Sequence, residues 1–219
     1  MEILSQMISW LPALLDGTKI TILLTITATS AGLILSFFLA LGKMSRVKII
    51  SKVCSAYIFF FRGTPLLMQL YFLYYALPLI WPALTINNRF LAAFIAYSLN
   101  CAAYCAELVR AAIESIDKGQ AEAAKALGFS HAQTMWLIVI PQSIKRLVPP
   151  VGNEFIMMLK DVSMVSIISL GDLTKITRSI NSSAATPLVY IPSMIIYLII
   201  TAFFTFVFNI VEKKMATKE

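Results

Sequence analysis

Gly119-Gln-Ala-Glu122-Ala123-Ala124-Lys125-Ala126-Leu127-Gly128 is a short polar interval in a chain built mostly of long apolar runs. Its alanines, leucine, lysine and glutamate are strong helix formers, and Gly128 stands where a helix would close at its C′ position. Ser130, three residues before Gln133, offers a capping-box start for a second helix. The interval therefore reads as a short helix that leaves the membrane and then turns back towards it. Glu122 beside Ala123 and Ala124 makes a smooth face with one charged handle, which suits close approach by a partner. An ordinary Ala-rich connector is the plainer alternative.

Composition supports the membrane reading. Of 219 residues, 59% are hydrophobic and only 13% charged. A water-soluble fold has too few charges there to cover its surface. The apolar runs are too long for membrane strands of about 9–11 residues and lack period-two alternation, so the expected fold class is all-α integral membrane. The net charge of +7 gathers in short loops beside the runs. Such placement follows the positive-inside rule and argues against nucleic acid as a partner. Cys54, Cys101 and Cys105 all lie in apolar runs and read as small buried side chains, not as a metal site or disulfide. His131, the single histidine, has no partner ligands nearby, so no metal is expected.

Five spans emerge, at about 18–42, 53–77, 90–110, 143–168 and 188–211, in one membrane domain covering 1–219. The first run, from Thr18, lacks a preceding basic region and a following cleavage site, so it is expected to remain as a span. Residues 1–17, with Trp10 and Pro12, read as interfacial, and the Thr-rich first span can return its hydroxyls to the helix backbone. Lys43, Arg46, Lys48 and Lys52 mark the first loop as cytoplasmic. Arg110, Lys118, Lys125, Lys145 and Arg146 mark the loop of about 113–141, and Lys213, Lys214 and Lys218 mark the C-terminus. The N-terminus is thus expected outside and the C-terminus inside, with residues 171–187 as outer re-entrant or surface structure.

Polar residues inside the spans are the candidate functional groups. Arg62, Gly63 and Pro65 interrupt the second span, where proline removes a backbone donor; Arg62 either serves function or snorkels to the interface. Asn100, Tyr104 and Glu107 share one face of the third span, with Arg110 a quarter turn away. Pro149, Pro150 and Gly152 are expected to break the start of the fourth span. Within it, Asn153 aligns with Lys160 and Glu154 with Asp161, seven residues apart. These charges either line a path for a zwitterion or pair, Glu107 with Arg110 and Glu154 with Lys160, to hold helices together.

Glu122-Ala123-Ala124, then Gly128, then Ile138-Val-Ile140-Pro141 resembles the Glu-Ala-Ala loop of bacterial ABC importer permeases, with Ile140 where Leu is commoner. Phe61-Arg-Gly-Thr-Pro65-Leu-Leu-Met-Gln69, Tyr104-Cys-Ala-Glu107-Leu-Val-Arg110 with Gly119-Gln120, and Pro150-Val-Gly-Asn153-Glu154 with Lys160-Asp161-Val-Ser163 resemble motifs of its polar amino acid branch. The resemblance covers roughly residues 10–212. It implies a non-catalytic, multi-pass subunit of the bacterial inner membrane that imports an amino acid or a cystine-like derivative. Its implied partners are two ABC ATPase subunits, a second permease as homo- or heterodimer, an extracytoplasmic solute-binding protein and membrane lipid. It also implies that Glu122, Ala123, Ala124, Leu127 and Gly128 form the helix that couples to the ATPase, and that matching positions in the third and fourth spans line a substrate site. No Gly-x-x-x-x-Gly-Lys-Ser/Thr loop occurs, so ATP and Mg are expected on the ATPase, with no cofactor on this chain. A secondary transporter or channel subunit is the alternative, since broken spans and intramembrane charges suit one as well.

Overall fold

The computed structural model describes residues 2–216, which are helical almost throughout and contain no strand. The helices are α1 (Glu2–Lys43), α2 (Lys48–Gly63), α3 (Leu66–Tyr71), α4 (Leu77–Ile80), α5 (Arg89–Glu114), α6 (Lys118–Ala126), α7 (His131–Thr134), α8 (Ile140–Asp161), α9 (Leu173–Ala184) and α10 (Tyr190–Ala216). A π-helical turn, Phe72–Ala76, joins α3 to α4, and another, Met135–Val139, joins α7 to α8.

Three of these helices are long and apolar enough to cross a membrane: Ile3–Lys43, Arg89–Glu114 and Pro187–Met215. The second expected span, 53–77, is not one rod. Lys48–Gly63 and Leu66–Ile80 meet at an angle of 102°. The fourth, expected over 143–168, divides into α8 and a 3-10 segment, Val162–Ile168. Lys218 lies outside the described residues.

α1 extends far beyond 18–42. Its 42 residues reach roughly 63 Å, about twice the hydrocarbon thickness of a bilayer. Residues 2–17 continue the helix, instead of forming a separate interfacial segment, because they have something to pack on. Leu14 is buried, and with partly buried Trp10 and Leu11 it joins a core shared with Leu173 of α9 and with Val189, Ile196 and Ile200 at the chain's end. Four threonines of α1, Thr18, Thr21, Thr25 and Thr27, return their hydroxyls to the helix backbone as expected, Thr18 to Leu14 and Thr25 to Thr21 each at 2.8 Å, whereas the Thr29 hydroxyl is buried without a partner among the described residues.

The stretch 171–187, expected as outer re-entrant or surface structure, is largely the helix α9. Asp172 caps α9 by accepting from the backbone N–H groups of Thr174 (2.9 Å) and Lys175 (3.0 Å). Thr21 of α1 accepts from Leu173 N–H at 3.1 Å, so α1 helps to start α9. Pro149 and Pro150 do not break α8, which runs through both. Their missing donors are tolerable where neighbouring helices support the backbone.

At the centre, α1 lies along α5 in the most extensive helix contact of the molecule. Small residues allow this. A Cβ on Gly32 would stand 2.7 Å from Cβ of Cys101 and 3.0 Å from the Ser98 carbonyl. Around that seam Leu24, Ala28, Ala93, Ala96, Tyr97, Cys101 and Cys105 pack with Val162, Val165 and Ile168 of the 3-10 segment. Close approach through Gly, Ala, Ser and Cys is how helices associate where lipid removes most of the hydrophobic drive. By contrast, α10 leaves Leu198, Ile199, Phe203 and Phe206 all at least 60% exposed, a surface suited to lipid or another apolar partner.

Candidate functional site

α6 begins with an acidic cap and ends with a glycine. Asp117 Oδ1 accepts from Gly119 N–H at 2.6 Å, and a Cβ at position 119 would stand 2.8 Å from that oxygen, so glycine lets the cap close. At the other end Gly128 takes φ +87°, donating to the Lys125 carbonyl at 3.0 Å while Phe129 donates to Ala124 at 3.0 Å. This is a Schellman closure, with Gly128 at the C′ position that its sequence predicts. Ser130 and Gln133 then form the predicted capping box, at 2.8 and 3.3 Å.

The two faces of α6 differ. At about 100° per residue, Gly119, Glu122, Ala123, Ala126 and Leu127 point one way and Ala121, Ala124 and Lys125 the other. Glu122, Ala123 and Leu127 are exposed, Leu127 by 78%. Ala124 is 2% exposed. It is therefore corrected from a docking residue to an anchor that packs α6 on its own chain. Two further ties, absent from the sequence reading, hold this loop: Gln142 donates to Gln120 at 3.4 Å, and Arg146 donates to the Ser115 carbonyl. Nothing in their spacing along the chain points to either.

The break in the second span has a local chemistry. Pro65 cannot donate to the carbonyl four residues back, at Phe61, and it drives Thr64 into an extended conformation (φ −118°, ψ 144°). Two side-chain amides replace the lost donor. Gln69 Nε2 donates to the Phe61 carbonyl (2.9 Å) and to Thr64 O and Oγ1 (3.0 and 2.8 Å), and Asn100 Nδ2 donates to the Phe61 carbonyl (3.2 Å) and to Gln69 Oε1 (3.0 Å). Asn100, 6% exposed, is thus committed to the break and leaves the set of path-lining candidates. Gln69 is the residue that the sequence reading missed. Its signal was an amide one turn after a proline in an apolar run. Gly63 has open space around it and no unusual backbone angle, so nothing local requires glycine there.

Beside the break, Arg62 lies over the ring of Tyr104, 5.4 Å from its centroid. The two share a cavity of 550 Å³ with Lys43. Glu107 is not available to a ligand. One oxygen meets Lys43 Nζ at 2.5 Å, and the other accepts from Arg110 Nη2 and Nε at 2.8 and 3.0 Å; Arg110 also reaches Glu114 at 2.6 Å. The Glu107–Arg110 pairing expected as one alternative is therefore present, and Lys43 completes it.

The pair Glu154–Lys160 does not form. Lys160 and Asn153 are exposed and directed away from the core, while Glu154 and Asp161 are half-buried. Among the described residues neither of those carboxylates has an ion-pair or hydrogen-bond partner, although the Asp161 carbonyl accepts from Tyr97 Oη at 2.8 Å. Two uncommitted acids one above the other on α8 remain.

Comparison with known proteins adds an independent line. Residues 32–217 match the family described as binding-protein-dependent transport system inner membrane component. The chain is 36% identical over 210 residues to the L-cystine transport system permease protein TcyB of Bacillus subtilis, covering 94% of this chain and 88% of that one. It is 36% identical over 218 residues to the arginine transport system permease protein ArtQ of the same organism, covering 98% of each. It is 32% identical over 206 residues to the glutamine transport system permease protein GlnP of Escherichia coli, covering 94% of each. Among solved structures, an amino acid ABC transporter crystallised with histidines superposes with TM-score 0.89 at 39% identity, over 95% of this chain and 97% of that one. The MetNI methionine ABC transporter shares the fold, with TM-score 0.79 at 18% identity.

Proposed function

The chain belongs to the family of binding-protein-dependent transport system inner membrane components, and from that membership we propose that it imports a polar amino acid, using ATP hydrolysed by a separate subunit. It is a permease subunit without catalytic chemistry of its own, and it resides in the inner membrane as a multi-pass protein. Its partners are an ATPase, a permease and a binding protein. Two ATPase subunits binding ATP and Mg, a permease dimer, five spans, an outer N-terminus and an inner C-terminus complete the proposal.

The observation that carries the coupling role is the exposed face of α6. Glu122, Ala123 and Leu127 stand outward on a helix capped at both ends and anchored through Ala124. A rigid, capped helix transmits a push; a frayed one would absorb it. Gly128 turns the chain back towards α8 without using up that face. For the path, we assign Glu154 and Asp161 to an α-amino group; this is supported by their lack of ion-pair partners among the described residues and by the commitment of Asn100 and Glu107 elsewhere.

Proteoliposomes holding the chain with its ATPase partner test this. With binding protein present, radiolabelled amino acid is expected to accumulate only with internal ATP. Glu122→Arg with Leu127→Asp is expected to abolish stimulation of ATP hydrolysis while the permease still folds. Uptake by this chain without any ATPase would replace the proposal with a secondary transporter.

A further inference from the structure

The face of α6 opposite Glu122 and Ala123, where Ala121 and Lys125 stand, lines an open cavity of 380 Å³. Its walls come from two regions far apart in sequence: Arg46 from the loop after α1, and the consecutive elements α6 (Ala121, Lys125), α7 (His131) and the π-helical turn (Met135, Val139). No acidic residue lines it, and among the described residues neither Arg46 nor Lys125 forms an ion pair. Two cations and an imidazole thus surround a floor made by Met135, Val139 and Phe129. That combination suits a phosphate group carrying an apolar tail.

Its surroundings select the occupant. Trp136 and Leu137, next along the chain from Met135, are 57% and 63% exposed. The Trp136 ring lies 5.8 Å from Phe37, near the end of α1, where Phe38 is 64% exposed. An exposed tryptophan beside exposed leucine and phenylalanine at the end of spans, with basic residues adjacent, is the pattern of a headgroup-level belt. An ATPase approaching Glu122 and Leu127 meets the opposite side of α6.

We propose that this cavity binds the headgroup of an anionic phospholipid, with Arg46, Lys125 and His131 on the phosphate and the acyl chains along Trp136 and Leu137. Basic pockets between helices on the inner side of a membrane recognise such lipids by charge and by the fit of their chains. The inference goes beyond the transport reading and needs from it only that α6 lies at the membrane surface. A bound lipid would brace the inner side of α6 against Arg46, making lipid composition a regulator of how firmly that helix is held.

The test uses the full chain in phosphatidylcholine nanodiscs, with Trp10→Phe and Trp81→Phe so that Trp136 reports alone. Brominated phosphatidylglycerol is titrated in and quenching is read. Quenching at low mole fraction, with preference over brominated phosphatidylcholine, is expected. Arg46→Gln with Lys125→Gln is expected to weaken that preference by about 30-fold, since each cation at a membrane surface is worth about 1 kcal/mol. Arg46→Lys with Lys125→Arg should restore it, and Lys48→Gln with Lys52→Gln, outside the cavity, should leave it intact. No preference in the parent chain, or equal loss in both neutralised pairs, would overturn the proposal. So would displacement by millimolar inorganic phosphate, which would mark a free-anion site, or by the ATPase subunit, which would assign the cavity to that contact.

Discussion

Gly128 holds φ at +87° with nothing within 4 Å of where a Cβ would sit. Substitution there is opposed by backbone conformation and not by crowding. Gly128→Ala is expected to destabilise the loop by about 1–2 kcal/mol, and it should lower binding-protein-stimulated ATP hydrolysis more than it lowers the melting temperature of the whole chain. Unchanged stimulation would mean that α6 does not need its closed end. Asp172 poses a different question. It is 0% exposed, and burial raises its carboxyl to about 6 even though the Thr174 and Lys175 N–H groups pull it down. Because the folded value lies above the unfolded one, near 4, its contribution to stability is complete below about pH 4 and is lost as pH rises through about 6. Asp172→Asn keeps a good helix cap and removes the titration. Melting curves in detergent should therefore fall less steeply from acid to neutral pH in the variant; identical slopes would discard this account.

At the scale of elements, the bend of 102° is stabilised by side chains that replace a missing backbone donor. Gln69 serves three acceptors and Asn100 two, so Gln69→Leu should leave buried carbonyls short of partners and cost about 1–3 kcal/mol. Gly63→Ala, with open space around it, should stay within about 0.5 kcal/mol. Equal losses from the two, measured by thermal unfolding, would show that the break is held by something other than these amides. The kink at Arg62-Gly63-Thr64-Pro65 was legible from sequence and its sharpness was not, because the break is held by Asn100, which is near in space and 39 positions away in the chain. The same holds for Pro149 and Pro150, expected to break α8 and instead carried within it.

On the scale of the whole molecule, α1 is the post on which the rest is arranged. It lies along α5 through Gly32, starts α9 through Thr21 and reaches the ion-paired cluster through Lys43. Gly32→Val would drive a branched side chain into Cys101 and the Ser98 carbonyl, so the α1–α5 seam should open. The expected result is loss of folded protein in detergent by size-exclusion chromatography, whereas Gly63→Ala runs as the parent chain does; a well-behaved Gly32→Val would remove α1 from this central role.

Apolar run length and the signals at Gly128 and Ser130 by themselves determined that this chain is all-helical and carries a closed helix over 118–126, because those properties are local; the permease family entered through the resemblance of the Glu122–Pro141 motif. The tertiary structure alone decided which polar groups are free. Asn100 and Glu107 share a face with Tyr104 in any helical reading, with Arg110 a quarter turn away, yet Asn100 is taken by a proline break, Glu107 by Lys43 and Arg110, and Arg110 by Glu107 and Glu114. Ala124 reads like Ala123 and is buried where its neighbour is exposed. A side chain's commitments depend on what the fold brings within 3 Å of it, and for most of these groups that partner comes from another helix.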